Sequence, residues 1–181
     1  MKRRGIVLLN MLVFPLLASC EGDITPPVVD GDTTPPIQTD ATLYELRLDW
    51  VGLATDIPLR WENRAADTLY IVNCRGALAP VLEKEVADGW EAFWSPVLLA
   101  CLSPPIVMEP GDVLVDTLHV WGALPGHNAG PEFKSDDLEG IYRIVMDNVV
   151  FHYDEDRQGF GDDVPLEYRV SRSFALDDPR R

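Results

Sequence analysis

The chain of 181 residues carries 15 basic and 30 acidic side chains, which gives a formal net charge of −15 at pH 7. A charge of this sign repels the phosphate groups of nucleic acids, so we expect no nucleic-acid partner. It also opposes electrostatic adhesion of the protein to anionic lipid headgroups. The composition therefore argues against two classes of binding. The acidity either serves only to keep the protein soluble and unaggregated or indicates a cationic partner or divalent cations.

The N-terminus has the three parts of a secretory signal peptide. A positively charged block, Met1–Gly5, precedes an apolar run, Ile6–Leu17. The run is shorter than the ~20 residues that a helix needs to cross the hydrocarbon core of a membrane. A charged start, a short apolar middle and small residues before a cleavage site are typical of secretion signals. We therefore predict a signal peptide over residues 1–19.

The end of this run, Leu17-Ala18-Ser19-Cys20, resembles the lipobox of bacterial lipoproteins. The resemblance implies cleavage before Cys20 and acyl chains on this cysteine, which would tether the exported protein to the membrane. In Gram-negative lipoproteins an Asp after the cysteine favours retention in the inner membrane. Glu21 stands at that position here, so the resemblance favours the outer membrane.

Processing at Cys20 removes three basic residues, which leaves 12 basic and 30 acidic side chains and a net charge of −18. Residues 21–40 are rich in Pro, Asp, Thr and Gly. Proline restricts the backbone and lacks an amide donor, so this composition predicts an extended, semi-rigid spacer. We predict a lipidated cysteine and linker over residues 20–40, one domain over 41–177 and a short tail over 178–181.

From residue 41 onward, short apolar runs of period two alternate with turn residues, as in half-buried strands. In chain order, the predicted strands cover residues 43–50, 57–62, 68–72, 81–86, 90–94, 113–120, 140–153 and 164–176. Asp88-Gly89 predicts a hairpin turn, although residues 78–86 are also compatible with a short helix. The spacing predicts an all-β protein, a single β-sandwich of about seven or eight mostly antiparallel strands.

Two stretches resemble bacterial Ig-like domains. The first is Glu83-Lys84-Glu85 with Asp88-Gly89-Trp90, followed by Glu109-Pro110-Gly111-Asp112 before a strand. The second is the strand from Leu138 to Ile144, which contains Gly140-Ile141-Tyr142-Arg143, followed by a C-terminal strand from Ser171 to Leu176. The resemblance implies that the Tyr142 hydroxyl bonds to upstream backbone as a tyrosine corner. Ile144 stands where true immunoglobulins place a cysteine. The fold also resembles the small β-sandwich of the intracellular proteinase inhibitor family. Proteinase inhibition is therefore the nearest named activity that the resemblance offers. The resemblance implies an Ig-like fold and a non-enzymatic module, and it implies no ligand.

Two cysteines, Cys74 and Cys101, remain after removal of the signal peptide and lipidation of Cys20. Disulfides persist in exported proteins, so the even count favours a bridge between them. Closing this loop would contribute about 3–4 kcal/mol in the chain-entropy model. Two buried free thiols are the alternative.

The segment 154–163 resembles the calcium repeats of thrombospondin type 3 and, more loosely, an EF-hand loop. The resemblance implies that one calcium ion binds carboxylate, amide and carbonyl oxygens. The implied ligands are Asp154, Asp156, Gln158, Phe160 and Asp162. Pro165 departs from the EF-hand pattern because it stands where the bidentate Glu belongs. A solvated acidic hairpin loop is the alternative interpretation.

Trp90 and Trp94 lie in one predicted hairpin strand and would point to the same side, since side chains alternate with period two. We predict that they form an exposed contact patch. Trp50 and Trp61 also lie in predicted strands, where core packing is the expected role.

The sequence contains no Gly-x-Ser-x-Gly, Cys-x-x-Cys or His-x-x-x-His motif, so we predict that the protein is not an enzyme and needs no cofactor other than the calcium considered above. The predicted function is a lipid-anchored Ig-like interaction or accessory module of the cell envelope, with an envelope protein as partner. A proteinase inhibitor that presents the loop 123–131 is the alternative. A hydrolase of cell-wall or polysaccharide material is disfavoured because no nucleophile or metal site is evident.

Overall fold

The structure, a computed structural model, describes residues 34–50, 52–97, 103–127, 129–154 and 159–181, with the side chains of 159 and 160 excepted. Within these ranges the fold is all-β, as predicted. The strands are β1 (Ile37–Thr39), β2 (Leu43–Glu45), β3 (Arg47–Asp49), β4 (Gly52–Glu62), β5 (Leu69–Ile71), β6 (Pro80–Val86), β7 (Gly89–Trp94), β8 (Ile106–Met108), β9 (Val113–Ala123), β10 (Gly140–Met146), β11 (Val149–Val150), β12 (Tyr153–Asp154), β13 (Gly159–Phe160) and β14 (Phe174–Asp177). A single 3-10 turn, Leu166–Tyr168, precedes β14.

The strands form four sheets, two of which are large. Sheet I contains β4, with β9 on one edge and both β1 and β3 on the other. Sheet II has the order β2-β14-β10-β6-β7, and only the pairing of β14 with β2 is parallel. Sheet III has the order β11-β5-β8, and sheet IV is the hairpin β12-β13.

The structure divides several predicted strands into shorter ones because the chain changes sheets. The predicted strand 43–50 breaks at Leu46: β2 pairs with β14 in sheet II, whereas β3 pairs with β4 in sheet I. Leu46 itself is fully buried where the chain crosses. In the same way, the predicted strand 140–153 divides into β10, β11 and β12, which belong to three sheets. Periodicity detects extended backbone, but it does not show which partner strand each half selects.

The predicted hairpin between residues 81–86 and 90–94 is confirmed, but its two-residue turn is Ala87-Asp88, one residue earlier than the predicted Asp88-Gly89. Val86 pairs with Gly89 across a two-residue tip, and Gly89 has a φ of 127°, a conformation that favours glycine. The helical alternative for residues 78–86 is wrong. Leu82 is buried whereas Glu83 and Glu85 point outward, and this alternation belongs to a strand.

The core consists of the inward side chains of the large sheets together with residues from the connecting segments. Its largest fully buried members are Trp61, Tyr142, Phe133, Phe174, Ile37, Leu46, Leu53, Ile57, Leu69, Ile71, Leu82 and Leu138. The predicted tyrosine corner is confirmed: the Tyr142 hydroxyl donates to the Leu138 carbonyl at 2.7 Å. The Phe93 ring meets the Tyr142 ring edge to face, with centroids 5.4 Å apart. The corner therefore links the segment before β10 to the centre of the core.

The domain begins earlier than residue 41, so the predicted linker boundary is wrong. Ile37 is fully buried and pairs with Trp61 at the end of β4. The chain is fixed here by two hydrogen bonds, from Arg64 Nη1 to the Thr34 carbonyl at 2.8 Å and from the Glu62 amide to the Pro36 carbonyl at 3.1 Å. The repeated Thr-Pro-Pro units concealed this short strand, because proline at its start suggested spacer throughout.

The predicted tail, residues 178–181, also packs on the domain. Asp178 is only 2% exposed, and its carboxylate accepts hydrogen bonds from the Arg180 amide at 3.0 Å and from Arg180 Nε at 2.8 Å. Arg180 in turn donates to the Asp136 carbonyl at 2.9 Å, and Arg181 pairs with Asp137. A buried carboxylate needs such partners, so the last four residues are held in place rather than free.

We predict that Tyr142→Phe lowers the free energy of unfolding by about 1–2 kcal/mol at pH 7, because the Leu138 carbonyl loses its buried donor. Burial raises the pKa of Tyr142, so its contribution to stability is complete below the ordinary tyrosine pKa of about 10 and is lost as the pH rises further. Urea denaturation between pH 7 and pH 11 measures both effects. Tyr168→Phe is the control, since that hydroxyl has no hydrogen-bond partner among the described residues, and an equal loss in both variants would contradict the prediction.

We predict that Asp178→Asn lowers the free energy of unfolding by about 1.5–3 kcal/mol at pH 7, because Arg180 loses its charged acceptor. Hydrogen bonding to Arg180 lowers the pKa of Asp178, so the stabilisation is present above the ordinary carboxyl pKa and is lost as the pH falls below about 4. Thermal denaturation from pH 7 to pH 3 tests this. Asp177→Asn, at an exposed neighbour, should change stability by less than about 0.5 kcal/mol. A difference from wild type that stays constant down to pH 3 would refute the assignment.

Candidate interaction surface

The predicted lipidation site and one predicted cysteine partner lie outside the described residues. Cys20 belongs to that part of the chain, so its lipidation stays a prediction. Cys74 is among the described residues, whereas Cys101 lies outside the described ranges. The pairing of these two cysteines therefore stays a prediction as well.

The acidic segment proposed for calcium is described only at its two ends. Tyr153 pairs with Phe160 and Asp154 with Gly159, so β12 and β13 flank the segment as a hairpin. Asp156 and Gln158 lie outside the described residues. Within the described ranges, no group of three or more His, Cys, Asp or Glu side chains is placed to hold a metal ion. Calcium binding by Asp154, Asp156, Gln158, Phe160 and Asp162 stays a prediction.

The predicted contact patch of Trp90 and Trp94 is wrong, because Trp94 is only 4% exposed. Glu83 lies opposite Ala92 and Leu82 lies opposite Trp94, so Phe93 is an additional residue at a β-bulge. The bulge reverses the alternation of β7, which turns Trp94 into the core while Trp90 stays on the outer face. Trp94 Nε1 donates to the Trp121 carbonyl at 2.8 Å, which satisfies its polar atom inside the protein.

Trp61 lies in the core as predicted, but the prediction of a buried Trp50 is wrong. Trp50 is fully exposed in the turn between β3 and β4, with a φ of 21°. Leu48, on the strand before it, is also largely exposed. The alternation of apolar and polar residues continues to the tip of this hairpin, beyond the end of the core. Periodicity alone therefore overestimated the burial of Trp50.

The loop 123–131, predicted for the proteinase inhibitor, has a closed base. The Ala123 amide donates to the Pro131 carbonyl at 2.9 Å, and the Phe133 amide donates to the Ala123 carbonyl at 3.0 Å. Pro125, Gly126 and His127 are exposed at its tip, and residue 128 lies outside the described ranges. Protease inhibition stays a prediction.

The outer face of sheet I carries a polar cluster. Asp56 accepts hydrogen bonds from Arg47 Nη2 at 3.0 Å, and its other carboxylate oxygen lies 2.6 Å from His119 Nδ1. The hydrogen bond with His119, supported by Arg47, lowers the pKa of the Asp56 carboxyl. All three side chains are about half exposed or more, so solvent screens the cluster and its energetic contribution is small.

The outer face of sheet II carries a row of apolar side chains, which we name the apolar row: Leu43, Ala175 and Ile141. Leu43 pairs with Ala175, and Ala175 pairs with Ile141, so the row crosses β2, β14 and β10 without a gap. Leu43 is 58% exposed and Ile141 is 41% exposed. The row is therefore a continuous apolar strip open to solvent on rigid strands.

Two carboxylates, which we name the acidic pair, lie beside this row. Glu45 and Asp177 are each two residues beyond the members of the apolar row on the same strands, and they are direct partners in the β2–β14 register. Both residues are exposed. Since side chains two residues apart share a face, the acidic pair and the apolar row form one amphipathic surface.

A tryptophan and an ion pair extend the face over β6 and β7. Arg143 Nε donates to Glu83 Oε2 at 2.7 Å, and the Arg143 guanidinium lies 4.5 Å from the centre of the Trp90 ring. Glu85 pairs with Trp90, and continuing the β10–β6 register by one residue places it beside Ile141. The alternation of residues 43–45, 141–143 and 175–177 was a sequence signal for this surface. The sequence did not show, however, that these three strands are neighbours in one sheet.

The described part of the chain contains no helix with the length and apolar character needed to cross a bilayer. No protein-family model, curated protein or solved structure matches the chain.

Proposed function

We propose that the protein is a lipid-anchored interaction or accessory module of the bacterial cell envelope, and that it acts by binding rather than by catalysis. The lipobox-like Leu17-Ala18-Ser19-Cys20 supports the anchor, and the charged and apolar segments before it support export. An Ig-like sandwich is part of the proposal, supported by the contact between Tyr142 and Leu138. The full sequence lacks the nucleophile motifs named above, which supports a binding role.

The observation that carries the binding role is the apolar row on the outer face of sheet II. Leu43 and Ile141 remain largely in contact with water although their strands are central or paired elements of a sheet. Exposed apolar side chains that are contiguous, rather than scattered, mark interaction surfaces on soluble domains. The neighbouring carboxylates give the surface a polar rim, as interaction surfaces commonly have.

The proposed anchor leaves this face accessible. From Cys20 to Thr34 the chain has 14 residues, which span at most about 45–50 Å when fully extended. The domain is entered at the Trp61 end of β4, through β1. A Pro-rich tether of this length would hold the domain away from the lipid headgroups, so a partner in the envelope could approach sheet II.

We predict that the chain incorporates radioactive palmitate in a bacterial host and that Cys20→Ala abolishes the label, because the acyl acceptor is the Cys20 thiol. Ser19→Ala is the matched control: it keeps a small residue before the cleavage site and should be labelled like the wild type. Labelling of the Cys20→Ala variant, or no label on the wild-type chain, would remove the anchor from the proposal.

We also propose that Cys74 and Cys101 form a disulfide bridge, supported by their being the two cysteines that remain after Cys20 is acylated. We predict that the mature protein takes up no alkylating reagent before reduction and gains two alkyl groups after it, as measured by intact mass. Cys101→Ala should expose one thiol, on Cys74, without prior reduction. Alkylation of the unreduced wild-type protein would contradict the bridge.

A further inference from the structure

We propose that the outer face of sheet II binds an extended, basic amphipathic segment of an envelope protein, with an apolar residue followed two positions later by Lys or Arg. The inference rests on the proposed function and specifies the chemistry of its partner. It is derived from the apolar row, the acidic pair and the spacing between them.

The apolar row supplies the contact area. Its three members stand directly beside one another on β2, β14 and β10, and adjacent strands lie about 4.8 Å apart, so the row is about 10 Å long. Behind it, Tyr44, Phe174 and Tyr142 on the same strands are buried in the core. The strip is therefore supported by packed side chains and does not need to be ordered when a partner binds.

The acidic pair supplies the charge. Glu45 and Asp177 are direct cross-strand partners, and like charges in this position repel each other. Neither side chain forms a hydrogen bond or an ion pair with the described residues. A cationic side chain placed between them would neutralise this repulsion, which makes Lys or Arg the complementary group.

One cation of the same face, Arg143, is already engaged. The Arg143 guanidinium is bonded to Glu83 and stacked on Trp90, and its side chain is only 18% exposed. Glu85, at the far end of the apolar row, adds a further carboxylate. Arg172 is exposed and lines a cavity with Leu43. The carboxylates of Glu45, Asp177 and Glu85 outnumber this cation, so the net charge of the face is negative, and an acidic segment or a second copy of the same face would be repelled.

The spacing selects an extended segment. Residues two positions apart along a strand are about 6.6–6.8 Å apart, and this distance separates the apolar row from the acidic pair. A partner that lies extended along β2 and β14 has the same spacing between residues i and i+2. An apolar side chain at i then covers Leu43 and Ala175, while a basic side chain at i+2 reaches Glu45 and Asp177.

The test uses the full mature lipoprotein in detergent micelles and a fluorescent peptide of repeated Leu-Ser-Lys-Ser units. Fluorescence anisotropy should show saturable binding that weakens as salt rises, since exposed charges are screened. The same peptide with Glu in place of Lys should not bind. Saturable binding of the acidic peptide, or no saturable binding of the basic one, would overturn the proposal.

Variants locate the binding surface. The pair Leu43→Ser with Ile141→Thr, and the pair Glu45→Gln with Asp177→Asn, should each weaken binding by about tenfold or more. Leu48→Ser and Glu109→Gln remove an exposed apolar and an exposed acidic residue elsewhere and should leave binding within about twofold. Thermal denaturation confirms that each variant is folded. Unchanged binding in the apolar-row variant and in the acidic-pair variant would overturn the assignment.

Two outcomes separate this inference from the proposed function. All four sets of variants should still incorporate palmitate, because Cys20 is untouched. If palmitate labelling fails and the apolar-row and acidic-pair variants still lose peptide binding, the proposed lipid anchor is wrong and the proposed binding surface is correct. If labelling succeeds and sedimentation shows that the face instead joins two copies of the chain, the inference is wrong and the anchor stands.

Discussion

The eleven-residue pairing of β4 with β9 is the constraint on which the rest of the fold depends. It runs from Gly52 opposite Ala123 to Glu62 opposite Val113 without a register shift. A Cβ atom on Gly52 would lie 2.2 Å from the Gly122 carbonyl oxygen, so only glycine permits this close approach. The long ladder fixes which side chains of β4 face inward, and it therefore determines where sheet II can pack. A slip of one residue would turn Trp61 and Ile57 to solvent.

The all-β fold, the hairpin between β6 and β7 and the tyrosine corner could be predicted because each is encoded locally. Alternation, a two-residue turn and the Gly-x-Tyr-Arg strand all lie within a few residues of sequence. The predictions were wrong where burial or strand pairing depends on residues that are distant in sequence. Trp94 is buried because Phe93 occupies a bulge opposite β6, and Leu46 breaks a strand because its two sides join different sheets. Ile37 belongs to the domain because β1 pairs with the edge of β4.

The candidate surface illustrates the same division between local and distant information. The alternation within each of three strands indicated outward residues, but the strands are separated by about 95 residues of sequence between β2 and β10 and by a further ~30 to β14. Only the sheet order aligns Leu43, Ala175 and Ile141 into one strip. The candidate surface thus depends on the sheet topology, and the parallel pairing of β14 with β2 places Glu45 against Asp177.

The short β1 strand has a mechanical consequence. Any tension that the N-terminal chain transmits reaches the domain at Thr34 and passes into β1, which is attached to β4 through only three residue pairs. The load then acts on β1, which is held by its pairing with β4 and by a bridge between Ile37 and Ser171, before it reaches the rest of the eleven-residue ladder. Detachment of β1 would uncover the side of Trp61 that Ile37 faces, while leaving sheet II intact. A pull on the chain N-terminal to Thr34 would therefore detach β1 before it disturbed sheet II.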